Sequence, residues 1–319
     1  MKTGILLINL GTPDAPTADA LKRYLAEFLG DPLVVKLPRL IWKPLLHGIV
    51  LRKRPAQSAK LYEKIWTEQG SPLLVYSQQL ADRLQHAVND NVVVKLGMRY
   101  GCPCLKSALN QLQQQAVDEL IVLPLYPQYA EATTKTSILA VKALLNDWRK
   151  KPNTHFIEHY YEHPAYIDAM CKHIEAHRQH DFLLFSFHGI PEKCVKDGDP
   201  YADHCRATVK AIVEKLNLQE KDYRLVFQSR FGRAKWLQPY CDKTLQSLPN
   251  EGIKKLDIVC PGFAVDCLET LEEISKTNAE LFMQAGGEAL NYISALNDSE
   301  THVEMLKAVT RQHRLQSPT

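Results

Sequence analysis

The chain has 319 residues, of which 45% are hydrophobic and 24% are charged, a balance that indicates folded domains and excludes a largely disordered chain. The formal net charge of +3 and the lack of a dense Lys/Arg stripe argue against a nucleic-acid partner. No run of about 18 apolar residues occurs, so no transmembrane helix is predicted. The eight cysteines show no disulfide framework, and an apolar strand begins at Gly4 without room for a signal peptide. Both features predict a cytoplasmic protein.

The first half of the chain alternates apolar segments with helical patterns. In chain order, the predicted strand–helix pairs are 5–10 with 18–29, 92–96 with 106–115, and 120–125 with 137–149. Continuous apolar strands that alternate with helices are typical of a parallel sheet covered by helices on both faces. The sequence therefore predicts an α/β fold.

The second half of the chain resembles the first. The similar segments, which occur in the same order, are Leu6–Asp14 with Leu183–Glu192, Arg99–Gly101 with Arg230–Gly232, and Ile121–Pro124 with Ile258–Pro261. Because Gly and Pro mark most turns that follow strands, chance similarity is the alternative interpretation. The shared order favours two copies of one α/β unit. A ligand would then bind in a cleft between the copies, beyond the carboxyl ends of the strands.

The same comparison predicts the domain boundaries. The first copy is longer than the second, and the excess falls around 30–80, which we interpret as a lid insertion. The charged, Pro-containing stretch 150–153 is typical of a linker. We therefore predict a first domain over 1–152 and a second over 153–300. A C-terminal helix over 301–319 is expected to pack back on the first domain.

The insertion contains a segment, 37–55, that mixes apolar and basic residues. Pro38 and Pro44 argue against one long helix through it. One interpretation is a surface segment packed on the core, with cations that reach the solvent. The other is a mobile lip that contacts a membrane or a large apolar ligand with acidic groups. Because such stripes are common in soluble proteins, the sequence alone favours the first interpretation.

His188 directly follows the apolar strand 182–187 and precedes Gly189. A side chain at the carboxyl end of a parallel strand points into the crevice where α/β proteins bind ligands. A neutral imidazole there can bind a metal or accept a proton near neutral pH. The alternative is a structural histidine that caps the turn by a backbone hydrogen bond, and position alone does not decide between the two.

Three glutamates, Glu269, Glu272 and Glu273, follow the last repeated strand. The spacing of Asp266 and Glu269 fits a capping box, in which the glutamate has a purely structural role. In an α-helix, however, the three glutamates would share one face, where like charges repel. A cationic ligand would account for this arrangement, and carboxylate with imidazole is a suitable ligand set for ferrous iron.

Together, these segments resemble the ferrochelatase family, whose members insert ferrous iron into a porphyrin to make haem. The motifs that carry the resemblance are Asn9–Pro13, Gly70–Pro72, Arg99–Gly101, Tyr126–Tyr129, Ser186–Pro191, Gly198–Tyr201, Phe227–Gly232, Trp236–Tyr240, Cys260–Phe263 and Asp266–Ile274. They cover nearly the whole chain in order, and they are closest to the Gram-negative bacterial members.

The resemblance implies two Rossmann-like domains with a cleft between them. It implies that His188 and Glu269 form the iron-site and catalytic pair, with Glu272 and Glu273 as supporting acidic residues. The positions that match porphyrin contacts of the family are Leu10, Arg54, Tyr62, Ser71, Arg99 and Tyr100. The expected partners are protoporphyrin IX and ferrous iron, and the lip interpretation of 37–55 adds a peripheral membrane contact.

The chain also departs from the family at identifiable positions. Animal members carry a histidine two residues before the glutamate, where this chain has Cys267, and Thr277 replaces a further acidic position. No cysteine follows Cys267, so the C-terminal iron–sulfur cluster of the animal members is not expected, and no cofactor is required. Cys102 and Cys104 could serve a different internal cluster together with two other thiols, but the sequence favours incidental thiols. Two alternatives share the fold: a chelatase for another tetrapyrrole or metal, and a non-catalytic porphyrin-binding protein.

Overall fold

The computed structural model describes residues 2–232 and 234–315. Contacts divide the chain into two compact units: residues 1–159 with 298–319 form the first unit, and residues 160–297 form the second. Within the described residues, each unit holds one four-stranded sheet, and the strands in both sheets pair in parallel. The predicted α/β class is therefore confirmed.

The first unit is built on a sheet with the strand order β2-β1-β3-β4. Its strands are β1 (Thr3–Gly11), β2 (Val92–Tyr100), β3 (Glu119–Pro124) and β4 (Asn153–Phe156). Its first helices are α1 (Ala18–Phe28), α2 (Arg39–Leu45), α3 (Leu51–Glu63), α4 (Pro72–Ala87), α5 (Leu105–Gln114) and α6 (Thr136–Leu145), with π-helical segments at Leu46–Val50 and Glu131–Lys135.

The second unit repeats this plan with the strand order β6-β5-β7-β8. Its strands are β5 (Phe182–His188), β6 (Tyr223–Gln228), β7 (Lys255–Val259) and β8 (Ala289–Ile293). Its helices are α7 (Pro164–His177), α8 (Glu192–Lys196), α9 (Tyr201–Lys215), α10 (Cys241–Ser247) and α11 (Ala279–Gln284), with 3₁₀ turns at Glu220–Asp222 and Leu248–Glu251 and a π-helix at Glu269–Asn278.

The last helix, α12 (Glu300–Leu315), returns to the first unit. There it contacts α4 and β3. Val303, Leu306 and Val309 are buried on α12, at the three-residue spacing that puts side chains on one face of a helix. An apolar face of this kind holds a terminal helix against the body of its domain.

Apolar strands buried on both faces form the two cores. In the first unit, Leu6 and Ile8 of β1 belong to one hydrophobic cluster with side chains of α5 and α6. In the second unit, Leu184 of β5 and Ile258 of β7 belong to a cluster with side chains of α10 and α11. Each such side chain contributes about 1.5–3 kcal/mol by leaving water. The buried strands give the residues at their carboxyl ends a rigid base.

The insertion is helical over most of its length, so the prediction that Pro38 and Pro44 break it is wrong. The chain stays helical from Arg39 to Glu63, through α2, the Leu46–Val50 π-helix and α3. Pro38 precedes the first helical residue, where a missing N–H costs nothing. Pro44 is followed directly by the wider π turn, in which the Leu51 N–H donates to the Leu46 carbonyl. This i→i+5 pattern lets the helical path continue past the proline.

Candidate functional site

His188 is the last residue of β5 and is half-buried, whereas the other side chains of that strand are buried. Its Nδ1 lies 2.7 Å from the Gly189 carbonyl oxygen. Because a carbonyl oxygen only accepts, Nδ1 carries a proton, and in the neutral tautomer of the ring the lone pair is on Nε2. The turn-capping bond of the structural interpretation is thus present. It also fixes the ring so that Nε2 is the nitrogen that can take a proton or a metal.

The first unit has no imidazole at the corresponding position. The two sheets can be aligned by one pair of neighbouring residues in each. Leu6 of β1 is paired with Val122 of β3 in the first sheet, and Phe185 of β5 is paired with Val259 of β7 in the second. Three residues further along, Asn9 of β1 occupies the position equivalent to His188 of β5. The Asn9 amide donates to Ser77 Oγ at 3.0 Å, so in the first unit this position holds a structural amide.

Gln228, the last residue of β6, connects the His188 turn to the start of the Glu269–Asn278 π-helix. Its carbonyl accepts from Gly189 N at 2.8 Å. Its side chain is buried; Oε1 accepts from Ser186 Oγ at 2.6 Å, and Nε2 donates to the Glu269 carbonyl at 2.9 Å. A buried amide with both ends bonded is a rigid link, so Gln228 fixes the backbone of Glu269 relative to β5.

The capping box predicted for Asp266 and Glu269 is not formed. The Asp266 N–H, which Glu269 would accept in that motif, donates to Asn297 Oδ1 at 2.8 Å. The Asp266 carboxylate accepts from the hydroxyls of Thr270 and Tyr292 and from the Asn297 amide. Glu269 is half-buried at the first position of the π-helix. Its carboxylate therefore has no capping role.

The expectation that the three glutamates share one helix face is also wrong, because this helix has the wider π turn. Glu272 is buried and accepts from the Thr277 hydroxyl, five residues later, at 3.2 Å. Glu273 instead accepts from both the N–H and the hydroxyl of Ser229. An i→i+5 helix separates residues that an α-helix would align, so Glu272 and Glu273 have different surroundings.

Glu273 lies close enough to His188 and Glu269 to interact with their charges. Burial raises the pKa of Glu273; its hydrogen bonds to Ser229 and the charge of His188 oppose the rise, and the charge of Glu269 adds to it. Ser229 has φ 62°, a left-handed conformation that is uncommon for a residue with a side chain. Its two bonds to Glu273 hold it there. Glu273 is thus the carboxylate that interacts with both His188 and Glu269.

The other predicted site residues all lie in the first unit. Leu10 near the end of β1 and Arg54 on α3 are half-buried, whereas Tyr62 on α3 and Ser71 before α4 are buried. Ser71 Oγ accepts from Thr12 Oγ1 at 2.7 Å. These placements put polar and aromatic groups along the insertion and the end of the first strand.

Arg99 and Tyr100 end β2 and are bonded within the first unit. Arg99 Nη2 and the Tyr100 hydroxyl both donate to Asp31 Oδ2, at 2.6 and 2.9 Å. Tyr100 is buried, and burial raises the pKa of its hydroxyl far above the ordinary value. Asp31, Gln228 and Ser229 were not predicted as site residues from the sequence. Gln228 and Ser229 lie within the motif Phe227–Gly232, which could have indicated them, whereas Asp31 follows the end of α1 and has no comparable signal.

No disulfide bond joins any of the eight cysteines. Cys102 and Cys104 are exposed in the first unit, and the other six lie in the second. Over residues 2–232 and 234–315, no three His, Cys, Asp or Glu side chains are grouped so as to hold a metal ion. In the same residues, no helix has the length and apolar character needed to cross a bilayer.

The two parallel sheets place the protein in a structural class, the chelatase-like α/β proteins. The sirohydrochlorin chelatase SirB from Bacillus subtilis subspecies spizizenii, solved in complex with cobalt, aligns with a TM-score of 0.61 at 8% identity, covering 99% of this chain and 97% of that one. A structure of SirB from Bacillus subtilis with Fe³⁺ aligns with a TM-score of 0.58 at 11% identity, covering 99% and 98%. At these identities the likeness shows the fold alone.

The chain belongs to the ferrochelatase family, since the family model described as Ferrochelatase matches residues 2–314. Ferrochelatase of Pectobacterium atrosepticum is 51% identical over 310 residues, with 96% of this chain and 97% of that protein covered. Ferrochelatase of Vibrio cholerae serotype O1 is 48% identical over 314 residues, with 97% and 98% covered. The chain is therefore a lyase of haem biosynthesis that metallates porphyrin, and the predicted family is confirmed.

Proposed function

We propose that this enzyme inserts ferrous iron into protoporphyrin IX to form protohaem, and that His188 and Glu269 carry the reaction. The observation behind the residue assignment is the cluster at the carboxyl edge of the second sheet. There the His188 ring is fixed through Nδ1, and Glu273 lies within electrostatic reach of both His188 and Glu269. Carboxylate and imidazole are ligands that suit ferrous iron.

The chemistry requires that two pyrrole N–H protons leave while Fe²⁺ enters, with no change in the oxidation state of the iron. His188 Nε2 accepts a pyrrole proton, because Nδ1 is already protonated and bonded to Gly189. The carboxylate of Glu269 supplies negative charge for the entering cation and is the acceptor for the second proton. Glu273, whose pKa is raised by burial, is the carboxylate best suited to take protons onward.

The first unit supplies the porphyrin contacts in this proposal. Arg54 is the cation for a porphyrin carboxylate, and Tyr62 and Leu10 offer apolar surface for the macrocycle. Ser71 orients the start of α4 through its bond with Thr12. The enzyme accelerates the reaction to the extent that it binds the puckered macrocycle better than the flat one. No resident cofactor takes part, and the lack of disulfide bonds among the eight cysteines supports a location in the reducing cytoplasm.

Turnover with ferrous iron and protoporphyrin IX under anaerobic conditions tests the function. We expect protohaem to form catalytically, many equivalents per enzyme. A protein that binds protoporphyrin but releases no protohaem would instead be the non-catalytic binding protein. Turnover of a different tetrapyrrole alone would make it a different chelatase.

The second part of this proposal is that the 37–55 segment makes a peripheral membrane contact. Leu40 and Ile41 are 91% and 63% exposed, and Ile49 is exposed on the following π turn. The cations Lys43 and Arg52 are exposed on the same helical stretch. Exposed apolar side chains flanked by cations are the composition of a surface that binds anionic lipid.

Replacing Leu40 and Ile41 by serine tests this contact. We expect the wild type to co-sediment with vesicles containing anionic phospholipid, and each replacement to weaken binding about tenfold, since each removes a buried apolar side chain from the contact. Leu139→Ser is the matched control, because Leu139 is also exposed in the first unit, 48%, but lies on α6. A wild type that stays in the supernatant would refute the contact.

A further inference from the structure

Asp31 collects four hydrogen bonds at the point where the insertion begins. It is 8% exposed. Its Oδ2 accepts from Arg99 Nη2 at 2.6 Å, from the Tyr100 hydroxyl at 2.9 Å and from Thr136 Oγ1 at 2.6 Å. Its Oδ1 accepts from Leu33 N at 2.8 Å. One buried carboxylate thus joins the end of β2, the start of α6 and the first turn of the insertion.

This network lies at the carboxyl edge of the first sheet, where Tyr100 pairs with Gly11 at the end of β1. Helix α1, which precedes Asp31, packs against α3. Helix α3 carries Arg54 and Tyr62, the residues assigned to the porphyrin. Asp31 therefore fixes the start of the segment that delivers these contacts.

The Arg99 guanidinium is held by this network on several sides. Besides the ion pair with Asp31, its Nε donates to Thr136 Oγ1 at 2.9 Å, and the group lies 4.5 Å from the centre of the Tyr100 ring. The Arg99 side chain is only 20% exposed. A buried cation without its counter-ion is strongly unfavourable, so the charge of Arg99 depends on Asp31.

Asp31 remains ionised in this setting. Burial by itself would raise the pKa of its carboxyl group. The hydrogen bonds from Thr136, Leu33 and Tyr100 and the charge of Arg99 outweigh that effect, and the pKa lies below its ordinary value. The ion pair is therefore complete at neutral pH.

Other contacts also fix the insertion, among them a partly exposed ion pair and a buried hydrogen bond between uncharged groups. Lys36 pairs with Glu131, and these side chains are 31% and 23% exposed. Trp42 Nε1 donates to the Leu29 carbonyl at 2.7 Å. Because exposed ion pairs contribute little, the buried carboxylate is the contact whose loss should disturb the insertion most.

We propose that Asp31 is a positioning residue for porphyrin binding: it neutralises Arg99 and fixes the start of the insertion, so that α3 presents Arg54 and Tyr62 to the porphyrin. This inference rests on the proposed function. It assigns Arg99 an indirect role, in which its charge is bound to Asp31 and does not contact the porphyrin.

The test is Asp31→Asn, measured as two separate quantities. The first is the Kd for protoporphyrin IX, from fluorescence titration without iron. The second is the single-turnover rate at which saturating ferrous iron metallates the bound porphyrin. We expect the Kd to rise about tenfold or more, because a displaced contact and an unpaired cation both weaken binding. The rate for bound porphyrin should stay within about twofold of wild type, because the metallating groups lie in the second unit.

Two further variants separate positioning from a direct contact by Arg99. The double variant Asp31→Asn with Arg99→Gln removes both charges, and we expect it to bind porphyrin more tightly than Asp31→Asn alone. If Arg99 contacted the porphyrin directly, the double variant would bind at least as weakly as the single one. Asp298→Asn is the matched control, because it breaks the Arg83–Asp298 pair of the first unit, 3.3 Å long and partly exposed. It should leave the Kd unchanged.

Asp31→Asn with a wild-type Kd would overturn the inference while leaving the proposed function intact. A wild type that binds no porphyrin would overturn the proposed function and this inference with it. If Asp31→Asn does not fold, Thr136→Val takes its place, since it removes the one hydroxyl shared by Asp31 and Arg99. That variant should raise the Kd severalfold in the same direction, and an unchanged Kd would again refute the positioning role.

Discussion

His188→Ala is expected to lower kcat for protohaem formation by about 100-fold or more, the usual contribution of a positioned proton acceptor. The variant loses Nε2, which is the only ring nitrogen that can accept a proton because Nδ1 is bonded to the Gly189 carbonyl. The fold should survive, because the side chain is half-buried at a strand end. The lost hydrogen bond costs about 1 kcal/mol. Anaerobic steady-state assays with a melting curve measure both quantities.

His177→Ala is the matched control for this variant. His177 also bonds a backbone carbonyl through Nδ1, with the His173 oxygen 2.8 Å away, and it too lies in the second unit. It lies on α7, away from the β5 strand end, and its replacement should leave kcat unchanged. A His188→Ala enzyme with near-normal turnover would remove this residue from the reaction.

Glu269→Gln is expected to lower activity by orders of magnitude, about 100-fold or more, with little change in melting temperature. A neutral amide neither accepts a proton nor balances the charge of the iron. Stability should hold because the side chain has no capping role: Asn297 binds the Asp266 N–H instead. The bond from Gln228 reaches the backbone carbonyl of residue 269, so the substitution leaves that link in place.

Glu272→Gln serves as the comparison for Glu269→Gln. Glu272 is buried against Thr277, so its replacement should lower activity less than that of Glu269 and show mainly as a change in melting temperature. Were Glu269→Gln to metallate porphyrin as fast as the wild type, the pairing of Glu269 with His188 would be wrong.

The sheets of both units were predictable from the sequence because their central strands are buried on both faces. Such strands are apolar runs, as at Ile5–Leu10 and Phe182–Phe187. This pattern is compatible with one fold class, the α/β fold. The path of the insertion was not predictable. The effect of Pro44 depends on the π turn that follows it, and no local pattern signals that turn.

The candidate site shows the same division. His188 was found because its position depends on one strand and one turn, both of which are local features. The capping box failed because Asp266 finds its partner at Asn297, 31 residues away. The roles of Gln228 and Asp31 were not predicted because their partners, Glu269 and Arg99, are 41 and 68 positions away in the sequence. Local propensity does not encode contacts at that separation.

A single-turnover experiment shows whether His188 and Glu269 carry the metallation step. Protoporphyrin IX is bound to wild-type, His188→Ala and Glu269→Gln enzymes, excess ferrous iron is added, and protohaem absorbance is followed with time. We expect all three proteins to bind porphyrin with similar Kd, because the proposed porphyrin contacts lie in the first unit, and only the wild type to convert it rapidly. Conversion of the bound porphyrin at the wild-type rate by either variant would contradict this expectation.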